Sequence, residues 1–238
     1  MLEGDSVTLT CSTDANPAAS YTWYKEEGTS DPRFLSEEPQ LVFSSIQSSD
    51  SGRYSCTAEN QLGRKTSDFI SIDVKYGPQR PSVSVCPSAE MLEGDSVTLT
   101  CSTDANPAAN YTWYKEEGTS GPHLLSKEPH LVFSSIQSTD CGWYFCTAEN
   151  QLGRKTSDFI SIDVKYGPQR PSVKVSPSAE MLEGDSVNLT CSADANPAAN
   201  YTWYKEHEDS PRASGQIFTI TDFTAEHSGN YYSPVLHS

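Results

Sequence analysis

DSGRYSC, residues Asp50–Cys56, reads as a turn running into a strand. Asp and Gly mark the turn, and Tyr54 and Cys56 fall on one face of the strand that follows. The stretch returns as DCGWYFC at Asp140–Cys146 and as HSGNYYS at His227–Ser233. Upstream of each copy stand a cysteine and a tryptophan: Cys11 and Trp23, Cys101 and Trp113, Cys191 and Trp203. In the first two copies the tryptophan lies 12 residues after the first cysteine and 33 before the second. In the third, Ser233 stands where the second cysteine belongs, beside a retained Tyr231.

These copies belong to a longer repeat. A shift of 90 residues lays MLEGDSVTLTC (Met1–Cys11) on Met91–Cys101, and over 90 positions only twelve differ. A further shift reaches Met181–Cys191, with Asn188 for Thr, and the likeness holds to Glu206. Such a period is too long for a solenoid and suits a whole small domain in tandem. KYGPQRPSV recurs at Lys75–Val83 and Lys165–Val173, where Gly and two prolines predict a stiff joint. The expected organisation is a domain at 1–76 lacking its first strand, a linker at 77–80, a complete domain at 81–166, a linker at 167–170, and a domain at 171–238 cut short in its sixth strand. Met1, which recurs as Met91 and Met181, reads as an internal methionine of a longer product.

Within each copy the hydrophobic period is two. Val7, Leu9 and Cys11 alternate with Ser6, Thr8 and Thr10; Leu41 and Phe43 flank Val42. Tyr54, Cys56 and Ala58 form one predicted inward row, and Ile70, Ile72 and Val74 another. No stretch shows a helical period. Many short strands separated by turns predict an all-β antiparallel sandwich, here in a rod-like tandem array.

Cys, Trp, Tyr and Cys at these spacings resemble the immunoglobulin pattern. The resemblance implies bridges Cys11–Cys56 and Cys101–Cys146 between the two sheets. It also implies a core tryptophan at Trp23, Trp113 and Trp203, and a corner tyrosine at Tyr54, Tyr144 and Tyr231. Few residues separate Trp23 from Cys56, which predicts the seven-strand constant type without extra middle strands. Cys86, Cys141 and Cys191 are left without a partner. DANPAANYTWYK (Asp104–Lys115) and AENQLGRKTS (Ala58–Ser67) resemble more narrowly the constant-type domains of sialic-acid-binding immunoglobulin-like lectins, the siglecs, in particular the B-cell inhibitory siglec and its fish relatives. That resemblance implies a type I receptor at the extracellular face of the plasma membrane, with sialylated glycan bound by a distal domain. The family's sugar-binding arginine does not carry over: its place holds Thr57 and Thr147, and Arg53 does not match it.

Composition narrows function further. A net charge of −16 argues against nucleic acid. Seven cysteines point to an oxidising compartment. Asn110, Asn188 and Asn200 open N-x-T sequons and are candidate glycosylation sites. His123, His130, His207, His227 and His237 do not recur between copies, and Glu206–Asp209 reads as a solvated loop. No cofactor, metal or catalytic grouping is expected. The expected function is a receptor ectodomain segment serving as spacer and protein-interaction surface. Its partners would be cell-surface proteins or glycoproteins, with lateral or homophilic contacts. Direct ligand binding through a varied loop at Asp31–Gln40, and a secreted decoy, are the alternatives.

Overall fold

The computed structural model describes residues 1–28, 31–88, 90–178 and 180–236. They group into two compact units, Met1–Val83 with Thr100–Pro129 and Phe145–Phe159, and Ser84–Leu99 with His130–Tyr144 and Ile160–Ser238. The second repeat therefore contributes to both.

The first repeat holds β1 (Val7–Thr10), β2 (Ser20–Glu26), β3 (Arg33–Ser36), β4 (Gln40–Phe43), β5 (Gly52–Asn60), β6 (Gly63–Thr66) and β7 (Ile70–Ile72). The second holds β8 (Ser82–Cys86), β9 (Met91–Leu92), β10 (Val97–Ser102), β11 (Asn110–Lys115), β12 (His123–Ser126), β13 (His130–Phe133), β14 (Gly142–Asn150), β15 (Gly153–Thr156) and β16 (Ile160–Ile162). The chain continues through β17 (Val164–Ser176), β18 (Val187–Asn196), β19 (Asn200–Lys205), β20 (Ala213–Ser214), β21 (Ile217–Ile220), β22 (Tyr231–Tyr232) and β23 (Val235–Leu236).

Each repeat is built on two sheets. In the first, β1 pairs with β4, while β3, β2, β5 and β6 follow one another and β7 pairs with the start of β5. In the second, the orders are β13-β10-β8 and β12-β11-β14-β15, with β16 on β14. Each of the first two repeats has a single middle strand, β3 or β12, and it joins the sheet of β2 or β11 rather than that of β1 or β10. Here β3 pairs with β2, setting Phe34 opposite Tyr24 and Arg33 opposite Lys25. The three residues between Ser36 and Gln40 only cross to the other sheet, so none is left for a strand beside β4.

The two expected linkers differ from each other. Residues 167–170 lie inside β17, which starts after Asp163, the residue that separates it from β16, and runs on to pair with β18 of the third repeat. Residues 77–80 lie outside any strand.

The first core gathers Leu9, Cys11, Trp23, Ile46, Tyr54, Cys56, Ile72 and Val74, with Val7, Tyr21, Leu35, Leu41 and Phe43 packed against it. Alternation predicts most of this, but it also places Ile70 inward, and Ile70 is 48% exposed. It borders a groove with Thr8–Ser12 because, among the described residues, β1 has no outer neighbour, whereas β10 has β8. The turn before β5 is held at both ends. The Gln47 amide donates to the Asp50 carboxylate at 2.8 Å, and the Tyr54 hydroxyl donates to Asp50 O at 2.5 Å. Gly52 has φ +150°, and a Cβ there would meet Lys25 Cε at 2.8 Å, which explains the glycine in D-x-G.

The third core is thinner. Val187, Leu189, Cys191 and Trp203 are buried, with Phe218, Phe223 and Tyr231 against them. Among the described residues nothing takes the place of β7 and β16, and a groove of about 260 Å³ opens beside Val173, Val175 and Tyr231. Pairing of Tyr204 with Tyr232 and of Tyr201 with Val235 puts Ser233 level with Trp203, as Cys56 is with Trp23. The Ser233 hydroxyl is buried and without a hydrogen bond. Ser233→Cys is therefore expected to bridge to Cys191, raising the stability of this repeat by about 4 kcal/mol. Thiol titration of the unfolded variant then finds two free cysteines; four would refute the placement.

Candidate interaction surfaces and repeat joints

In each repeat a row of side chains lies on the outer face of the sheet that carries β2, β11 or β19. In the second repeat Tyr114 stacks on Phe145 with ring centres 5.1 Å apart, and Phe145 meets Phe159 edge-on at 5.0 Å. Leu124 lies beside Tyr114 in register, so the row spans β12, β11 and β14 and reaches the segment before β16. Phe159 and Leu124 are 54% and 47% exposed. In the first repeat Ser55 interrupts the row: Tyr24 meets Phe34 at 6.4 Å, and the Arg53 guanidinium covers Phe69 at 4.2 Å. In the third, Tyr204 stacks on Tyr232 at 5.5 Å. Exposed aromatics in contact are the residue class that anchors protein interfaces. Reading by alternation missed this row. Its signal was the exchange of Arg53 and Ser55 for Trp143 and Phe145 between otherwise matching strands. The varied segment Asp31–Gln40 is no simple loop, since it contains β3, which edges the same sheet.

The joints carry a second construction. Tyr76 and Asn106 exchange backbone hydrogen bonds of 2.7 and 3.2 Å. The Asn106 side-chain amide donates to Asp73 Oδ1 at 2.6 Å and to Val74 O at 2.8 Å, while the Lys75 ammonium donates to Asn106 Oδ1 at 3.1 Å. The Tyr76 hydroxyl donates to Asp104 at 2.8 Å. The clasp repeats at the next joint. Asn196 donates to Asp163 at 2.6 Å and to Val164 O at 2.8 Å, Lys165 donates to Asn196 at 3.2 Å, and the Tyr166 hydroxyl to Asp194 at 2.8 Å. Hydrogen bonds from Lys75 and Asn106 hold the Asp73 carboxyl below its usual 3.8, and those from Lys165 and Asn196 do the same for Asp163. A depressed carboxyl stabilises the fold above its ordinary range, and that contribution is lost as pH falls through the lowered value.

The cysteine and tyrosine positions are placed as follows. Cys11–Cys56 and Cys101–Cys146 are bonded, with Cα atoms 6.3 and 6.4 Å apart. Trp113 Nε1 donates to Pro129 O and Trp203 Nε1 to Gly215 O, whereas the buried Trp23 Nε1 has no partner. Tyr144 and Tyr231 donate to Asp140 O and His227 O, as Tyr54 does to Asp50. Burial, seconded by the Asp50 charge, pushes the Tyr54 phenol up to about 12. Cys86 is exposed and Cys191 buried. Cys141 replaces Ser51 as the acceptor for a strand amide: Val164 N–H reaches its Sγ at 3.2 Å, where Val74 N–H reaches Ser51 Oγ at 3.1 Å. Asn110, Asn188 and Asn200 are all exposed. His237 lies outside the described residues, which contain no group of side chains able to hold a metal ion. None of their helices is long and apolar enough to cross a membrane.

Paired sheets, a bonded cystine, a buried tryptophan and a corner tyrosine define an immunoglobulin sandwich. Immunoglobulin-domain families match residues 1–74 and residues 80–150 and 170–232, so the chain belongs to the immunoglobulin superfamily, whose adhesion and receptor members are not catalysts. It is 31% identical to the mouse B-cell receptor CD22 over 90% of its own length and 25% of CD22. It is 28% identical to neural cell adhesion molecule 1-A of Xenopus laevis, over 92% of its length and 20% of that protein. The chain thus spans a quarter or less of these two relatives. The ectodomain of mouse nectin-like molecule 4 shares the fold, with a TM-score of 0.57 at 22% identity, covering 98% of this chain and 90% of that one.

Asn196→Ala removes three side-chain hydrogen bonds from one joint. Amide exchange over Val164–Gln169 is expected to quicken roughly tenfold, the worth of about one net hydrogen bond to a charged group. Unchanged exchange would show the clasp to be inert.

Proposed function

We propose that the chain is part of the ectodomain of a cell-surface adhesion or immune receptor of the kind CD22 represents, serving there as spacer and lateral contact surface. The observation that carries this reading is the clasp, built from the same residue types at both joints. A spacer needs copies joined alike rather than distinct sites. Under this reading any recognition of sialylated glycan falls to a distal domain outside this chain, and the exposed Asn110, Asn188 and Asn200 carry glycans at the extracellular face. The test grafts the repeats between a distal binder and a membrane anchor. Binder height is expected to rise by about 30 Å per added repeat, the length of a nine-residue strand. No rise sinks the spacer.

The aromatic row of the second repeat favours lateral contact by that sheet face. Phe145→Ser gives the second repeat the residue the first has at Ser55. In sedimentation equilibrium the unaltered chain is expected to self-associate, and the variant to do so at least roughly tenfold more weakly. A chain that stays monomeric, or a variant that associates equally, refutes homophilic use of this face.

A further inference from the structure

DANPAA occurs three times, at Asp14–Ala19, Asp104–Ala109 and Asp194–Ala199. The second and third copies each receive the Asp-Val-Lys-Tyr end of the preceding repeat in the clasp described above. At the second copy the fit extends to the neighbouring hairpin. Asn150 Nδ2 donates to Pro107 O at 2.9 Å, bracing the loop, and to Tyr76 O at 3.0 Å, holding the incoming strand. A Cβ on Gly77 would lie 3.4 Å from Leu152 O, so the segment runs close over that turn.

The first copy is built the same way. Asn60 Nδ2 donates to Pro17 O at 2.8 Å, bracing the loop as Asn150 does. Thr13, Asp14, Asn60 and Leu62 line a groove of about 260 Å³. Leu62 is 76% exposed against 39% for Leu152, and Asn16 is exposed where Asn106 and Asn196 are half-buried. Among the described residues the side chains of Asp14 and Asn16 make no hydrogen bond.

We infer that the Asp14–Asn16 loop, with Asn60 and Leu62, is a docking site for the free Asp-Val-Lys-Tyr-Gly end of a further immunoglobulin repeat. The chemistry is that of the two filled copies. Asn16 Oδ1 takes the lysine ammonium, Asn16 Nδ2 donates to the aspartate and to a strand carbonyl, and Asp14 accepts the tyrosine hydroxyl. A second copy of this chain does not supply the end, because Asp73–Gly77 and Asp163–Gly167 are already held by their own neighbours. The inference stands whether the array is a spacer or not.

The test uses the full chain and a fluorescein-labelled peptide SIDVKYGPQR, the sequence of Ser71–Arg80 and Ser161–Arg170. Saturable anisotropy is expected below about 1 mM. Asn16→Ala is expected to weaken it roughly tenfold, and Leu62→Arg, at an exposed position, to abolish it while leaving the melting temperature unchanged. A peptide with alanine for its lysine is expected to bind as weakly as the Asn16→Ala pair. No saturable binding overturns the inference. So does binding that ignores Asn16→Ala and Leu62→Arg. Binding that responds instead to Asn106→Ala or Asn196→Ala means the peptide displaces an internal strand, and overturns it equally.

Discussion

A cystine packed on a buried indole carries each of the first two sandwiches. It joins the end of β1 to β5 and β10 to β14, strands of opposite sheets, and in the first repeat the tryptophan of β2 stands level with the second cysteine. In domains this small apolar burial alone leaves a narrow margin, and closing a loop of 45 residues removes much of the unfolded chain's freedom. The corner tyrosine does not need that bond: the Tyr54 hydroxyl reaches back to the turn before β5, and Tyr231 reaches back in the same way in the third repeat, which has no cystine. What the third repeat loses lies elsewhere. With Ser233 in place of the second sulfur, the strand facing β19 is reduced to two-residue pieces, and the core opens between Val173 and Tyr231.

Cysteines, tryptophans, tyrosines and the 90-residue period were legible because each is fixed by covalent distance or by exact repetition. Which sheet took the middle strand was not. Alternation gives the faces of β3 but not its partner, and the partner was decided by how soon the chain had to cross to β4. Ile70 failed for a related reason: a period of two assumes that the inner face is covered by the opposite sheet along its whole length, and beside β1 that cover is open. The segment 167–170 looked like a linker because its proline and glycine, with Pro171 beyond them, break strands in isolation. Pairing of β17 with β18, with register shifts after Tyr166 and Gln169, absorbs them. The aromatic row needed the register of three strands at once, since Tyr114, Phe145 and Phe159 lie far apart in the chain and come together only across the sheet.

The clasp joins these scales. Its two halves sit at opposite ends of one period: Asp73–Tyr76 closes a repeat, and Asp104–Asn106 lies in the loop after β10 of the next. Neither half is complete within a repeat. The lowered carboxyls of Asp73 and Asp163 mark where a strand that would otherwise fray is tied to its neighbour by charge-assisted hydrogen bonds.

A genetic consequence follows from that division. Because donor end and acceptor loop recur once per period, unequal recombination that adds or deletes a whole period at any phase leaves every internal joint intact. Copy number can drift without a misfit ever being exposed to selection. The two adjacent domains that differ at only twelve of 90 positions are interchangeable in this sense, since either could stand in the other's place without altering a joint.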